Sequence, residues 1–156
     1  MADVRERPYM QFNFLVNLGD NVTDTPDAGF QEISNIGMEV AVAEYRTGNY
    51  GFNNVRKVNG LYKATDVTLK RGIIGSLALY TWLDAIRNGS QTPDAIRQVT
   101  IHLLSEDRQT VVLTWKLSDA RMINYISGPF SAKGADVAME EMKLAYERLQ
   151  VVQGRG

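Results

Sequence analysis

The sequence predicts a mainly β domain, a barrel or sandwich closed around one helix. Three observations carry the prediction. Apolar and polar side chains alternate in short runs, as at Phe12, Phe14, Val16 and Leu18, and a period of two marks half-buried strands. One stretch, Gly75 to Asn88, sets Leu79, Trp82, Leu83 and Ile86 on a single helical stripe. Turn chemistry such as Gly19-Asp20-Asn21, Asn88-Gly89 and Gly128-Pro129 separates these runs. The count comes to about seven or eight strands and one helix.

Taken in order, residues 1–10 read as a polar N-terminal arm. Gln11 to Leu18 is a strand, 19–28 a loop, and Phe30 to Ser34 a short extended piece. Ile36 to Arg46 is a second strand, with Met38, Val40 and Val42 on one face and the small Ala41 and Ala43 on the other. Residues 47–61 break any period through Gly48, Gly51, Asn53, Asn54, Asn59 and Gly60. A structureless loop of about 15 residues is uncommon in a compact domain and usually functional. It carries Tyr50, Phe52, Arg56 and Lys57, and exposed aromatics on a long loop point to a partner.

Tyr62 to Arg71 is the next strand. Val67 and Leu69 face one way, Asp66, Thr68 and Lys70 the other, and Gly72 ends it. Arg97 to Leu104 and Gln109 to Leu117 alternate around Ser105-Glu106-Asp107-Arg108 and form a β-hairpin. Ala120 to Ser127 is a further strand whose apolar residues settle on no single face. Val137 to Val151 is contested. Its Ala, Met, Glu, Lys and Leu content favours a helix, while Met142, Leu144 and Tyr146 alternate as in a strand. Residues 152–156 read as a loose tail.

The 156 residues favour one domain, 1–156, with one core. A net charge of −1 gives no bulk attraction to a polyanion. The absence of cysteine excludes a disulfide framework, an iron–sulfur cluster and a thiolate zinc site. Met1 to Pro8 has no apolar h-region, and no apolar run approaches the ~20 residues of a membrane helix. The expected site of synthesis is therefore the cytoplasm, with release by lysis or a dedicated machine. No nucleophile, phosphate or metal motif is present. The single histidine, His102, is placed on the outward face of its strand beside Thr100. Glu140 and Glu141, as strand neighbours, point to opposite faces and do not form a catalytic pair. The expectation is a non-enzyme with no cofactor, no metal and no catalytic residue.

Several blocks in fixed order carry a family resemblance. These are Gly29-Phe30 with Glu32, Glu44-Tyr45-Arg46 with Gly48, Val67-Thr68-Leu69-Lys70-Arg71-Gly72, the helix bearing Trp82, the hairpin bearing Trp115, and Glu140 to Leu144. From about Gln11 to Leu149 the chain resembles the tail tube proteins of contractile phages and related injection systems. It departs at Asn59-Gly60, where relatives often have Pro-Gly.

The resemblance implies two packed sheets forming a barrel-like sandwich with one flanking helix, as in the haemolysin-coregulated tube protein of type VI secretion. It favours the strand reading of 137–151. It implies hexameric rings that stack into a rigid hollow tube, driven through a target envelope by a contracting sheath. The partners it implies are further copies of the chain, the sheath protein, baseplate and tube-initiator proteins, a tube-terminating cap, and luminal cargo or DNA. On that reading the 47–61 loop and the N-terminal arm contact neighbouring subunits or rings, and Asp66, Lys70 and Arg71 are candidates for register-setting ion pairs. A baseplate-proximal initiator paralogue would form one ring rather than a polymer. A small-ligand-binding β-barrel, from a different class, would be a monomer with a closed apolar cavity.

Overall fold

The structure, a computed structural model, describes residues 5–19, 29–89 and 95–154. The predicted 19–28 loop lies almost wholly outside the described residues. The elements are β1 (Phe14–Asn17), β2 (Glu32–Ser34), β3 (Met38–Tyr45), β4 (Arg56–Ala64), β5 (Val67–Gly72), α1 (Ala78–Arg87), β6 (Arg97–Leu104), β7 (Val111–Ser127), β8 (Met139–Ala145) and β9 (Arg148–Gln153).

β7 organises them. Its 17 residues take part in both layers of the fold. The first half pairs with β6 on one side and β9 on the other. The second half pairs with β8, which pairs in turn with β5, and β5 with β2. β8 and β9 form one run along β7, interrupted only at Tyr146-Glu147, where the Glu147 N–H still reaches the Ser118 carbonyl at 3.0 Å. The bend has visible causes. Asp119 takes a left-handed φ of 55°, and the β7–β8 register shifts between Met122 and Asn124. Such irregularities bend a strand and let it turn a corner. The separate strand predicted from Ala120 is thus the second half of β7.

The two layers share one core. Val16, Val99, Ile101 and Leu117 come from one layer, and Val67, Leu69, Met142 and Leu144 from the other. The helix closes one side through Leu79 and Trp82, both buried. Its stripe is the one the sequence predicts, but it starts at Ala78, because Gly75 takes a φ of +82° and the Ser76 hydroxyl accepts the Ala78 N–H at 3.1 Å. The Trp82 indole N–H donates to the Ala95 carbonyl at 2.7 Å.

The expected closed barrel does not form. The main sheet runs β1-β6-β7-β8-β5-β2, and no pairing joins its two ends among the described residues. The end strands have only four and three residues. Between them lies a cleft of about 580 Å³, lined by Phe12, Phe14, Ile33, Ile36, Leu103 and Trp115 among others. The fold is an open sandwich, and the cleft between its end strands is open to solvent rather than a closed apolar cavity.

Four further expectations are corrected. The 47–61 loop is shorter than predicted, because Arg56 onward belongs to β4, paired with β3 from Tyr45↔Arg56 to Met38↔Ala64. The period fails at Asn59-Gly60 because the register shifts there, and a Cβ on Gly60 would come within 3.2 Å of the Ala41 carbonyl oxygen. The predicted strand 62–71 is two strands, broken at Thr65-Asp66. His102 is buried, not outward. It stands opposite Thr114 in the β6–β7 register, with its Nδ1 2.8 Å from the Thr114 Oγ1. The contested 137–151 segment is strand, as the resemblance implied. Pairing of β8 with β5 and β7 on its two sides outweighs local helix propensity. β9 reaches Gln153, into the tail expected to be loose.

One ion pair lies inside this core. Arg71 and Glu140 are cross-strand partners on β5 and β8. They are 1% and 4% exposed, and Nε meets Oε1 at 2.5 Å. The Tyr125 hydroxyl donates to the other carboxylate oxygen at 2.6 Å, and burial, then this bond, pushes its phenol pKa up. Removing one member leaves a buried charge without its counter-ion. Arg71→Met is therefore expected to cost about 3–5 kcal/mol in urea denaturation, and a joint change of Arg71→Met with Glu140→Leu to recover most of it. At the β6–β7 turn, Asp107 accepts the Gln109 and Thr110 N–H groups at 2.8 and 2.9 Å. These bonds favour the carboxylate and lower its pKa to about 2 from 3.8. A depressed folded-state pKa stabilises above the unfolded value and loses that stabilisation as pH falls through the folded value. Asp107→Ala should therefore flatten the pH dependence of thermal stability between about pH 4 and pH 2.

Candidate functional site

β3 and β4 form a two-stranded sheet of their own. Every residue of β3 is exposed, and every residue of β4 except Ala64. The pair continues β2 and β5 outward, so the four strands make one long ribbon whose root is in the core and whose outer part is an arm. Alternation puts Met38, Val40, Val42 and Tyr62 on one face of the arm. Ala41, Ala43, Tyr45 and Val58 lie on the other. Leu61 is 87% exposed. Charged pairs, Glu39 opposite Lys63 and Glu44 opposite Lys57, flank the apolar centre.

Both faces of this ribbon are therefore apolar and uncovered. A lone two-stranded ribbon is marginal in water. Half-exposed side chains forgo roughly 1 kcal/mol each relative to full burial. Over Val40, Val42, Val58, Leu61 and Tyr62 this comes to on the order of 5 kcal/mol, comparable with the whole stability of a small domain. That stabilisation becomes available only when another surface covers the arm.

The tip is built from its own residues. The Arg46 guanidinium donates to the Phe52 carbonyl at 3.1 and 3.2 Å and to the Tyr50 carbonyl at 3.4 Å. The Tyr50 and Phe52 rings meet edge to face with centroids 5.8 Å apart. Arg56 sits over the Tyr50 ring at 4.3 Å. Tyr50 is thereby half-buried in the tip, while Phe52 remains 68% exposed. A rigid, exposed aromatic at the end of a held loop loses little entropy on docking.

Of the residues singled out from the sequence, Tyr50, Phe52, Arg56 and Lys57 come together on the arm. Asp66 is exposed at its root. Lys70 faces away from the core beside Glu32, with Nζ and Oε2 3.4 Å apart. Arg71 is elsewhere. Its charge is held by Glu140 of the same chain inside the core, so it offers nothing to a neighbouring subunit. The N-terminal arm is tied to its own body at Arg5, whose guanidinium bonds Glu106 at 2.6 Å. Sequence reasoning did not single out Val40 and Val42 as surface residues, and it placed Val58 and Leu61 in the 47–61 contact loop without naming them. Their alternation is the same whether a face is covered by the chain's own core or by another subunit.

Sheet edges add to this surface. Arg121 to Ser127 of β7 pair with β8 on one side only among the described residues, and Ile123 and Ile126 there are exposed. No group of three or more His, Asp or Glu among the described residues could hold a metal ion.

Comparison with known proteins follows the same line. A chain of the sheath–tube complex of the extracellular contractile injection system PVC, in the extended state, is 26% identical over 95% of this chain and 93% of its own, with a TM-score of 0.80. A chain of the tube-terminating cap of the anti-feeding prophage is 25% identical over 98% and 96%, with a TM-score of 0.81. Hcp1 from Flavobacterium johnsoniae, at 10% identity over 92% and 97% and a TM-score of 0.54, shares the fold. No curated protein sequence matches the chain. The profile of the T4-like virus tail tube protein gp19 family matches residues 10–150, and the chain belongs to that family.

Proposed function

We propose that this protein is the structural subunit of the inner tube of a contractile injection system or contractile phage tail, not an enzyme. The observation that carries the reading is the family match over residues 10–150, joined by likeness over nearly full length to a chain of a sheath–tube complex. The physical features of the subunit agree with it. A chain that presents an apolar arm and unpaired sheet edges is incomplete alone. A head-to-tail contact between arm and neighbour closes into a ring when its rotation closes, and ring closure pairs the open edges.

In this proposal the rings are hexameric and stack into a hollow tube made in the cytoplasm and assembled into the particle. The sheath surrounds the tube, the baseplate and an initiator start it, a cap ends it, and cargo or DNA passes through it. Tyr50, Phe52, Arg56 and Lys57 contact a neighbouring subunit or ring, with Phe52 as the anchor. Asp66 and Lys70 set register at the rim, where exposed charges decide partner choice more than affinity. A second reading is a ring at the end of the tube, because the likeness to a chain of the cap structure is as high as to one of the sheath–tube complex.

Negative-stain electron microscopy of the purified protein tests both. Stacked hollow tubes are expected. Single rings that never stack would favour the end-ring reading, and a uniform monomer at high concentration would overturn the proposal. Phe52→Ala should weaken each contact by about 2 kcal/mol, roughly 30-fold, and shorten or abolish tubes. Its unfolding midpoint should stay within ~0.5 kcal/mol of the parent, because the ring is largely in water in the free subunit.

A further inference from the structure

Beyond its root, where Ile36 and Ala64 pack against the core, the arm is exposed among the described residues, so its direction is set where it joins the body. That junction is the break between β2 and β3 on one strand and between β4 and β5 on the other. Asn35 takes a left-handed φ of 69° there. The Thr65 N–H donates to the Gly37 carbonyl at 3.0 Å. The Thr65 hydroxyl lies 2.6 Å from the Asn35 carbonyl and 3.2 Å from that of Gly37. These bonds join the two connecting segments of the junction to each other. They do not tie the arm to the body.

Tyr146 does. Its hydroxyl donates to the Gly37 carbonyl at 2.9 Å and stands 3.2 Å from the Gly37 N–H. Its side chain is 7% exposed and belongs to the core cluster. It comes from the two-residue interruption between β8 and β9, where that run turns from one layer to the other. One hydroxyl thus holds both backbone groups of the residue just before the arm, from a side chain anchored in the core. The backbone break beside it, at Asn35 and at Thr65-Asp66, is where a ribbon without a third strand would swing.

We propose that Tyr146 is the positioning residue of the arm: its hydroxyl fixes the angle at which β3–β4 leaves the body, and so the geometry in which a second copy is met. Its use in assembly rests on the tube-subunit reading above. Its effect on the arm does not, and the two can be separated.

The chain has no cysteine, so nitroxide labels at Asn53→Cys on the tip and Gln98→Cys on β6 report one distance. Pulsed electron–electron resonance is run below the assembly concentration. One narrow distribution is expected for the parent, and at least a twofold broader one for Tyr146→Phe, which keeps the buried ring. Tyr125→Phe, which removes a hydroxyl from the core ion pair instead, should leave the width unchanged. An unchanged width in Tyr146→Phe, or equal broadening in Tyr125→Phe, overturns the proposal. Should Tyr146→Phe fail to fold, Thr65→Val decides. It removes the two hydroxyl bonds but keeps the backbone Thr65 N–H bond and the Tyr146 tie, so tip distances should broaden less than twofold, and a larger spread overturns the proposal by making Thr65 the pivot. In unlabelled protein, Tyr146→Phe should lower ring yield at least tenfold. Normal rings with a broadened arm overturn the assembly role. A parent that forms no rings overturns the tube reading, while the distance widths still decide the pivot.

Discussion

The pairing of β7 with the β8–β9 run is the interaction on which the rest depends. Two strands bend together at Asp119 and at Tyr146-Glu147 and so belong to both layers. Each layer gains its strands from one half of this spine. β6 and β1 add to the first half, β5 and β2 to the second. Because the spine is continuous, the layers cannot slide apart, and their inner faces meet over Leu117, Met122, Met142 and Leu144. The open side is the one the spine does not reach, between β1 and β2.

Charge is divided in the same way. Arg71 and Glu140 face each other on neighbouring strands inside the core, with Tyr125 completing the carboxylate's bonding. A buried pair of this kind is weak evidence for added stability, since hydrophobic replacements often serve as well. It does fix which residue of β5 stands beside which residue of β8. A one-residue slip would place Glu140 against Lys70 or Gly72 and strand the guanidinium. The outward-facing Lys70 carries no such burden beyond its exposed pair with Glu32, and Asp66 is exposed.

In the proposed tube, the arm is the part of the subunit that another copy covers. Its Val40, Val42, Val58, Leu61 and Tyr62 are exposed among the described residues. A self-packed tip and a bonded root limit its freedom, so the entropy lost on docking is smaller than for a floppy loop. In the proposed tube, covering this ribbon by repeated identical contacts turns an unstable feature of the monomer into cohesion.

The sequence by itself determined the local elements: the helix stripe around Trp82, the β6–β7 hairpin, and the mainly β class, each written in side-chain period and turn residues. It also carried the family through the order of its blocks, which residue spacing preserves. Tertiary structure decided what alternation leaves open, because period two says that faces differ and not what covers them. It placed Arg71 and His102 inside, left Val40, Val42, Val58 and Leu61 in water, kept the sheet open between β1 and β2, and made 139–153 strand against its helical propensity. Two of those outcomes depend on partners far away in sequence, for Arg71 on Glu140 and for β8 on β5 and β7.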